Sequence, residues 1–129
     1  MHDLVAFLNA RLSEDAALAR AVDDRSEPWD GQWTADESGN ALRTVNGHVL
    51  VYGHNHPLKP GLVDHMARHD PARVLREVDA KRLILAEHEP VFEGAECPAC
   101  VYRSPCTTLS LLALPYDDHT DYREEWRPE

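Results

Sequence analysis

The feature that most constrains this chain is a well-started helix that leads, within one loop, to all three of its cysteines. Asp70 can accept hydrogen bonds from the free N–H groups of the first helical turn, and Pro71 suits that turn because proline has no N–H to satisfy. The pattern predicts a helix that ends at His88, because Pro90 cannot continue it. The long helix is therefore expected to deliver the chain directly to a cysteine cluster.

The three cysteines have the spacing of a metal site. Cys97 and Cys100 are separated by two residues, as in a zinc knuckle, where two thiolates from one tight turn reach the same tetrahedral ion at about 2.3 Å. Cys106 begins the next predicted helix, where the positive helix end favours a thiolate. Three cysteines cannot all pair within one chain, so zinc ligation is favoured over a disulfide framework. The sequence thus predicts that Cys97, Cys100 and Cys106 bind Zn²⁺.

A histidine is the expected fourth ligand, because neutral imidazole suits zinc. His88 is the nearest candidate, with eight residues between it and Cys97. His119 is the second candidate, with twelve residues between it and Cys106, and the sequence leaves the choice open. Four protein ligands would close the site, which is typical of structural rather than catalytic zinc.

Two other chemistries compete with structural zinc. A Cys-x-x-Cys motif at a helix start lowers a thiol pKa for redox work, but such a motif should follow a strand and open a helix. Here an acidic loop precedes Cys97, and Pro105 follows Cys100 closely. The second alternative is a small metal-dependent hydrolase or nuclease with a second metal, and it rests on four further histidines with ligand-like spacing: His54, His56, His65 and His69.

The first half of the chain predicts a helix followed by a small sheet. Residues 3–23 form an amphipathic pattern with Leu4, Leu8 and Leu12 on one face. After a loop over residues 24–31, three strands are predicted, and Asn46-Gly47 is a strong hairpin signal because both residues tolerate positive φ. The predicted strands are residues 32–36, 41–45 and 48–52.

The second half is predicted to be helical over residues 62–69, 71–88 and 107–114. In the long helix, Val78 and Leu85 share a face, whereas Leu83 and Ile84 point elsewhere, which predicts packing on more than one side. The tail carries large aromatic side chains and is expected to fold back on the core: Tyr116, Tyr122 and Trp126.

These elements predict a single α+β domain over residues 1–129. It would comprise a small three-stranded antiparallel sheet, two main helices and a zinc-stapled C-terminal helical segment. A sheet of this size needs a helix against one face to be stable.

Charge narrows the choice of partner. The chain has 13 basic and 23 acidic residues, a formal net charge of −10. This balance argues against nucleic-acid binding, since phosphate neutralisation supplies most non-specific affinity. An acidic inhibitor of a nucleic-acid enzyme is a third hypothesis, ranked behind the two above. No apolar run approaches the roughly 20 residues of a membrane span, and the N-terminus lacks a basic signal region, so we expect a cytoplasmic protein whose partner is another protein.

Three segments resemble a known family: ARHDPARVLREVDAKRLIL, LLALPYDDHTDYREEWRP and the opening LVAFLNARLSED. They look like the hallmark blocks of a family of short uncharacterised proteins from high-GC Gram-positive bacteria and their phages. The resemblance covers roughly half of the chain. It implies a common fold, and it implies no activity.

The sequence therefore favours a small zinc-binding protein that acts as a non-enzymatic accessory or protein-interaction module. The predicted metal ligands are Cys97, Cys100, Cys106 and His88. Enzymatic activity, the identity of the partner and the oligomeric state are left open.

Overall fold

The structure, a computed structural model, describes residues 2–23, 30–90, 96–100 and 106–129. These residues form an α+β fold with four α-helices and a three-stranded antiparallel sheet, which confirms the predicted fold class. The helices are α1 (His2–Val22), α2 (Leu62–Arg68), α3 (Pro71–His88) and α4 (Thr107–Ala113), and the strands are β1 (Trp33–Ala35), β2 (Ala41–Thr44) and β3 (Val49–Tyr52). Short 3₁₀ helices follow at Leu114–Tyr116 and Glu124–Trp126. Most of the loop predicted over residues 24–31 lies outside the described residues.

The chain divides into two compact units. Unit 1 comprises residues 1–14 and 78–129, and unit 2 comprises residues 15–77. Helices α1 and α3 each contribute residues to both units. The expectation of one domain over residues 1–129 stays a prediction.

Unit 2 contains the sheet, whose strands are hydrogen-bonded in the order β1-β2-β3. The predicted hairpin turn is confirmed: Gly47 has a φ of 94°, and its N–H donates to the Thr44 carbonyl oxygen at 2.8 Å. A residue other than glycine rarely adopts such a φ, so the Asn46-Gly47 pair decides where β2 ends and β3 begins. The register pairs Leu42 with Val51, with an irregularity next to Arg43.

The core of unit 2 forms where helix residues cover the sheet. Leu42 and Thr44 of β2 are fully buried, and α2 packs against β1 and β2 through the buried Val63. Thr44 is tolerated there because its hydroxyl oxygen accepts the His48 N–H at 3.1 Å. Ala16 and Ala19 of α1 are also buried. A helix therefore covers this small sheet, as its size requires.

Asp70 begins α3 as the sequence predicts. Its Oδ1 accepts the Arg73 N–H at 2.8 Å, which is the hydrogen bond of an N-cap. Its Oδ2 accepts the backbone N–H of Trp33 at 3.1 Å. One carboxylate thus starts the helix and ties it to β1, within unit 2.

Unit 1 is built on the first part of α1. Leu4, Leu8 and Leu12 are all buried, which confirms the predicted apolar face. The aromatic tail packs on the same helix, as expected, because Trp126 is buried with its ring centroid 5.1 Å from that of Phe7. The Phe7 ring also contacts Tyr116, Tyr122 and His119.

The prediction that the end of α3 packs on more than one side is wrong. Val78 and Leu85 are buried, but Leu83 is 71% exposed and Ile84 is 39% exposed. Val78 and Leu85 are seven residues apart and so lie on one face, given about 3.6 residues per turn. Only that face is covered, and Leu83 projects away from it.

Candidate metal centre

Four side chains converge in unit 1 to form a group that could hold a metal ion. They are the four residues that the sequence singles out: His88, Cys97, Cys100 and Cys106. Their ligand atoms all lie within 4.8 Å of one another. Among the described residues, this is the only group of three or more histidine, cysteine, aspartate or glutamate side chains with that property.

Each ligand atom comes from a different kind of local structure. His88 is the last residue of α3, so the helix that Asp70 starts carries the imidazole to the site. Cys97 and Cys100 bracket a tight turn over residues 98–100. Cys106 is the residue that precedes α4, with an extended backbone at φ −60° and ψ 126°. The site therefore joins the end of one helix, a turn and the start of another helix.

The imidazole lies at the apex of the group. Its Nδ1 is 3.4 Å from Sγ of Cys97, 3.4 Å from Sγ of Cys100 and 3.4 Å from Sγ of Cys106. Sγ of Cys100 and Sγ of Cys106 are also 3.4 Å apart. Tetrahedral zinc with its usual bond lengths places nitrogen and sulfur ligands about 3.6 Å apart and two sulfurs about 3.8 Å apart. These four distances are thus slightly shorter than those of a zinc site, and the donor set of three sulfurs and one nitrogen fits Zn²⁺.

Burial differs among the ligands. Cys97 and Cys106 are buried, whereas Cys100 and His88 are half-buried. Burial raises the pKa of the Cys106 thiol to about 11, although hydrogen bonds from the N–H groups of Leu109 and Thr108 act in the opposite direction. Because burial favours the protonated thiol of Cys106, metal binding at this sulfur has to release a proton.

Cys97 behaves in the opposite way. Burial would raise the pKa of its thiol, but hydrogen bonds from the N–H groups of Ala99 and Cys100, and from His88, outweigh this effect and lower the pKa to about 7. The turn over residues 98–100 therefore aims two backbone donors at one sulfur. Such donors stabilise a thiolate and orient it as a metal ligand.

The redox interpretation of the Cys-x-x-Cys motif gains no support from the described residues. All three cysteines are free thiols, so no disulfide is present. Cys97 lies before a turn rather than at the start of a helix. Within residues 96–100, which the structure describes, no helix begins at Cys97 as it would in a redox site.

His119, the second candidate for the fourth ligand, lies elsewhere in unit 1. Its Nδ1 and Nε2 are 2.8 Å and 2.6 Å from Nη1 of Arg11, and its Nδ1 accepts the Asp121 N–H at 3.0 Å. It is absent from the cysteine group. Of the two candidates, the structure brings only His88 to the cysteines.

Arg11 is a buried residue whose environment the sequence does not reveal. It lies on α1, where its polar side chain reads as part of the solvent face, yet it is only 7% exposed. Its Nη2 donates to Glu14 at 2.9 Å, and its guanidinium lies over the Phe7 ring. No local signal could indicate this burial, because His119, which covers the group, is 108 residues away in sequence.

The four histidines of the hydrolase hypothesis lie in unit 2, and they form no metal group with other residues that the structure describes. His65 and His69 pack ring against ring, with centroids 4.6 Å apart, and His54 packs beside Tyr52. In the part of the chain that the structure describes, none of the four belongs to a set of three or more converging ligands. His54 and His56 are both exposed.

Comparison with known proteins gives a family and nothing more specific. A family model matches residues 1–128, and its description is a family of unknown function, DUF6221. No curated protein and no solved structure matches the chain. None of the helices that the structure describes is both long and apolar enough to cross a lipid bilayer.

Proposed function

We propose that this chain, which belongs to the DUF6221 family of unknown function, is a small zinc-binding protein with a non-enzymatic accessory or protein-interaction role. One Zn²⁺ would be bound by Cys97, Cys100, Cys106 and His88. The zinc would be structural. No activity is carried over from the family, so the proposal depends on the site alone.

The observation that carries the proposal is the common 3.4 Å distance from Nδ1 of His88 to three sulfur atoms. A buried thiol packs well against apolar neighbours and has no reason to share one imidazole nitrogen with two others. A metal ion gives that reason, because it attracts all four ligand atoms to one point. Zinc is the metal that a set of three thiolates and one imidazole suits best.

Two features support a structural rather than catalytic role. Four protein ligands fill a tetrahedral coordination shell and leave no position for a reactive water. The ligands also come from three separate segments, so the ion would link the end of α3 to the start of α4. Zinc binding at such a site contributes free energy of folding.

An interaction role is supported by apolar side chains that the fold leaves in solvent. Leu18, Val45, Leu83 and Leu111 are each more than half exposed. Exposed apolar residues are ordinary on a protein surface, but each of these four offers apolar area that contact with another protein would bury. The expected partner is therefore a protein.

The first test is the metal content of the purified, untagged chain, measured by inductively coupled plasma mass spectrometry. We expect about one zinc per chain, retained in His119→Ala and lost in His88→Ala and Cys100→Ser. His119→Ala is the matched control, since it removes an imidazole from unit 1 without touching the cysteines.

Three results would contradict the proposal. Zinc retained in His88→Ala and lost in His119→Ala would show that His119, and not His88, is the fourth ligand. A wild-type chain without metal and with three freely alkylated thiols would remove the zinc site and favour the redox interpretation. Zinc that can be removed without lowering the free energy of unfolding would show that the ion is not structural.

A further inference from the structure

Strand β3 is an edge strand with an unusual composition. It is the last strand in the order β1-β2-β3, and no strand within the described residues pairs with its outer side. Its four residues, Val49 to Tyr52, are all apolar or aromatic, and none is charged. Natural proteins usually protect such an edge with charge, proline or a covering segment, because its free backbone groups can pair with another chain.

Within the described residues, backbone groups of β3 point toward this free edge. The Gly53 N–H donates to the Asn40 carbonyl oxygen at 3.0 Å, on the side of β2. Because hydrogen-bonding directions alternate along an antiparallel strand, the backbone groups of Tyr52 face the other way, toward the free edge.

One face of the sheet beside this edge is partly exposed, although Ala41 on that face is buried. The register pairs Thr34 with Arg43 and Arg43 with Val49, so these three side chains lie in a row on one face. Tyr52 lies on the same face, opposite Ala41. Val49 is 50% exposed and Tyr52 is 59% exposed. The face thus offers two apolar side chains next to a cation.

The charge around this surface differs from that of the whole chain. Residues 38–63 contain none of the 23 acidic residues, although the chain carries a net charge of −10. The segment does contain Arg43, Lys59 and three histidines, of which His54 and His56 are exposed. The neighbouring carboxylate of Asp36 accepts hydrogen bonds from the Ser38 hydroxyl and the Asn40 N–H, and it also attracts the Arg43 guanidinium.

We propose that the free edge of β3 binds an extended, acidic segment of a partner protein, which adds a fourth strand to the sheet. An added strand would lie about 4.8 Å from β3 and so about 9.6 Å from β2. Arginine and glutamate side chains together span that distance, so a glutamate beside Val49 can reach Arg43. This inference deepens the interaction role proposed above by naming a partner class, and it does not require the zinc ion.

Charge favours this occupant over two others. Pairing β3 with β3 of a second copy would bring the cationic segments of both copies together. A nucleic acid is longer than this acid-free segment, so its phosphates would be repelled by the 23 acidic side chains of the chain, all of which lie outside residues 38–63. A short peptide avoids this repulsion, because at physiological salt a charge acts over only about 8 Å.

The test uses the full, ¹⁵N-labelled, zinc-loaded chain and a synthetic eight-residue peptide in which glutamate alternates with valine. We expect amide shifts confined to β3 and residues 53–61, with binding about fivefold tighter than for the same peptide with lysine in place of glutamate. N-methylation of all eight residues should abolish binding, because strand addition needs backbone hydrogen bonds. Arg43→Glu should reverse the preference between the two peptides and leave the zinc content unchanged.

Several outcomes would overturn the inference. Equal binding of the glutamate and lysine peptides, or binding of the N-methylated peptide, would rule out strand addition by an acidic segment. Concentration-dependent dimers that Val49→Lys dissociates would assign the edge to a second copy, and stronger shifts of the same amides with an oligothymidylate would assign it to nucleic acid. If the folded, zinc-loaded chain does not bind the peptide, this inference alone is overturned. If the purified chain contains no metal but binds the peptide, the zinc proposal alone is overturned.

Discussion

At the scale of single residues, the side chain of Asp36 accepts several hydrogen bonds at one oxygen atom. Its Oδ1 accepts the Asn40 N–H at 3.0 Å and the Ser38 hydroxyl at 2.8 Å, so one carboxylate organises the turn between β1 and β2. The hydrogen bond from Ser38 is the main reason that the pKa of Asp36 lies below its ordinary value.

This hydrogen bond predicts a measurable titration. A carboxyl group with a lowered pKa in the folded state stabilises the fold above its unfolded pKa, and this stabilisation is lost as the pH falls through the lowered value. We expect a carbon-detected NMR titration to place the Asp36 midpoint below that of ordinary aspartates, and Ser38→Ala to raise it. An unchanged midpoint in Ser38→Ala would show that the hydroxyl is not the cause.

At the scale of elements, α3 connects the sheet of unit 2 along the chain to the candidate metal centre of unit 1. Asp70 caps its first turn and His88 ends its last. The cap was predictable, because Asp-Pro before an apolar pattern is a local signal. The second hydrogen bond of Asp70, to the Trp33 N–H, depends on β1 and is invisible in the local sequence.

Asp70→Ala should therefore cost more than an ordinary cap. We expect the free energy of unfolding in urea, at saturating zinc, to fall by about 1–2 kcal/mol, since both the cap and the Trp33 N–H lose their acceptor. Asp79→Ala is the matched control, because Asp79 is exposed in the middle of α3. Equal effects of the two substitutions would show that the cap contributes nothing beyond a surface charge.

The tail makes a second prediction at this scale. Trp126 is buried against Phe7 and Tyr122, with ring centroids at 5.1 Å and 5.8 Å. Trp126→Ala should lower the free energy of unfolding by about 3–5 kcal/mol, because a large cavity remains. Leu83→Ala, at a position 71% exposed, should change it by less than about 0.5 kcal/mol. Chemical denaturation of both variants measures the difference, and a tail that contributes nothing would make them equal.

At the scale of the whole molecule, the two units are expected to respond differently to loss of metal. The four candidate ligands all belong to unit 1, and the sheet belongs to unit 2. After chelation, we expect amide hydrogen exchange to accelerate most in α4 and at the end of α3, and least in β2 and β3. Uniform acceleration throughout the chain would instead indicate a single cooperative unit.

The sequence by itself determined the features that depend on short-range geometry. Three such features are the cap at Asp70, the turn at Gly47 and the proximity of the Cys97 and Cys100 thiols. Each involves residues only a few positions apart, so chain connectivity alone keeps the groups close together. The predicted bounds of the four α-helices and three strands agree with the observed bounds within one residue for the same reason.

Only the tertiary structure showed that His88 rather than His119 lies beside the cysteines, that Arg11 is buried beneath His119, and that Leu83 is exposed to solvent. These outcomes depend on where segments far apart in sequence meet. The local sequence pattern around a side chain is the same whether that side chain is buried or exposed in the fold. Periodicity therefore cannot distinguish a buried residue from an exposed one. The position of each segment is set by the sum of many contacts, and that sum exists only in the folded chain.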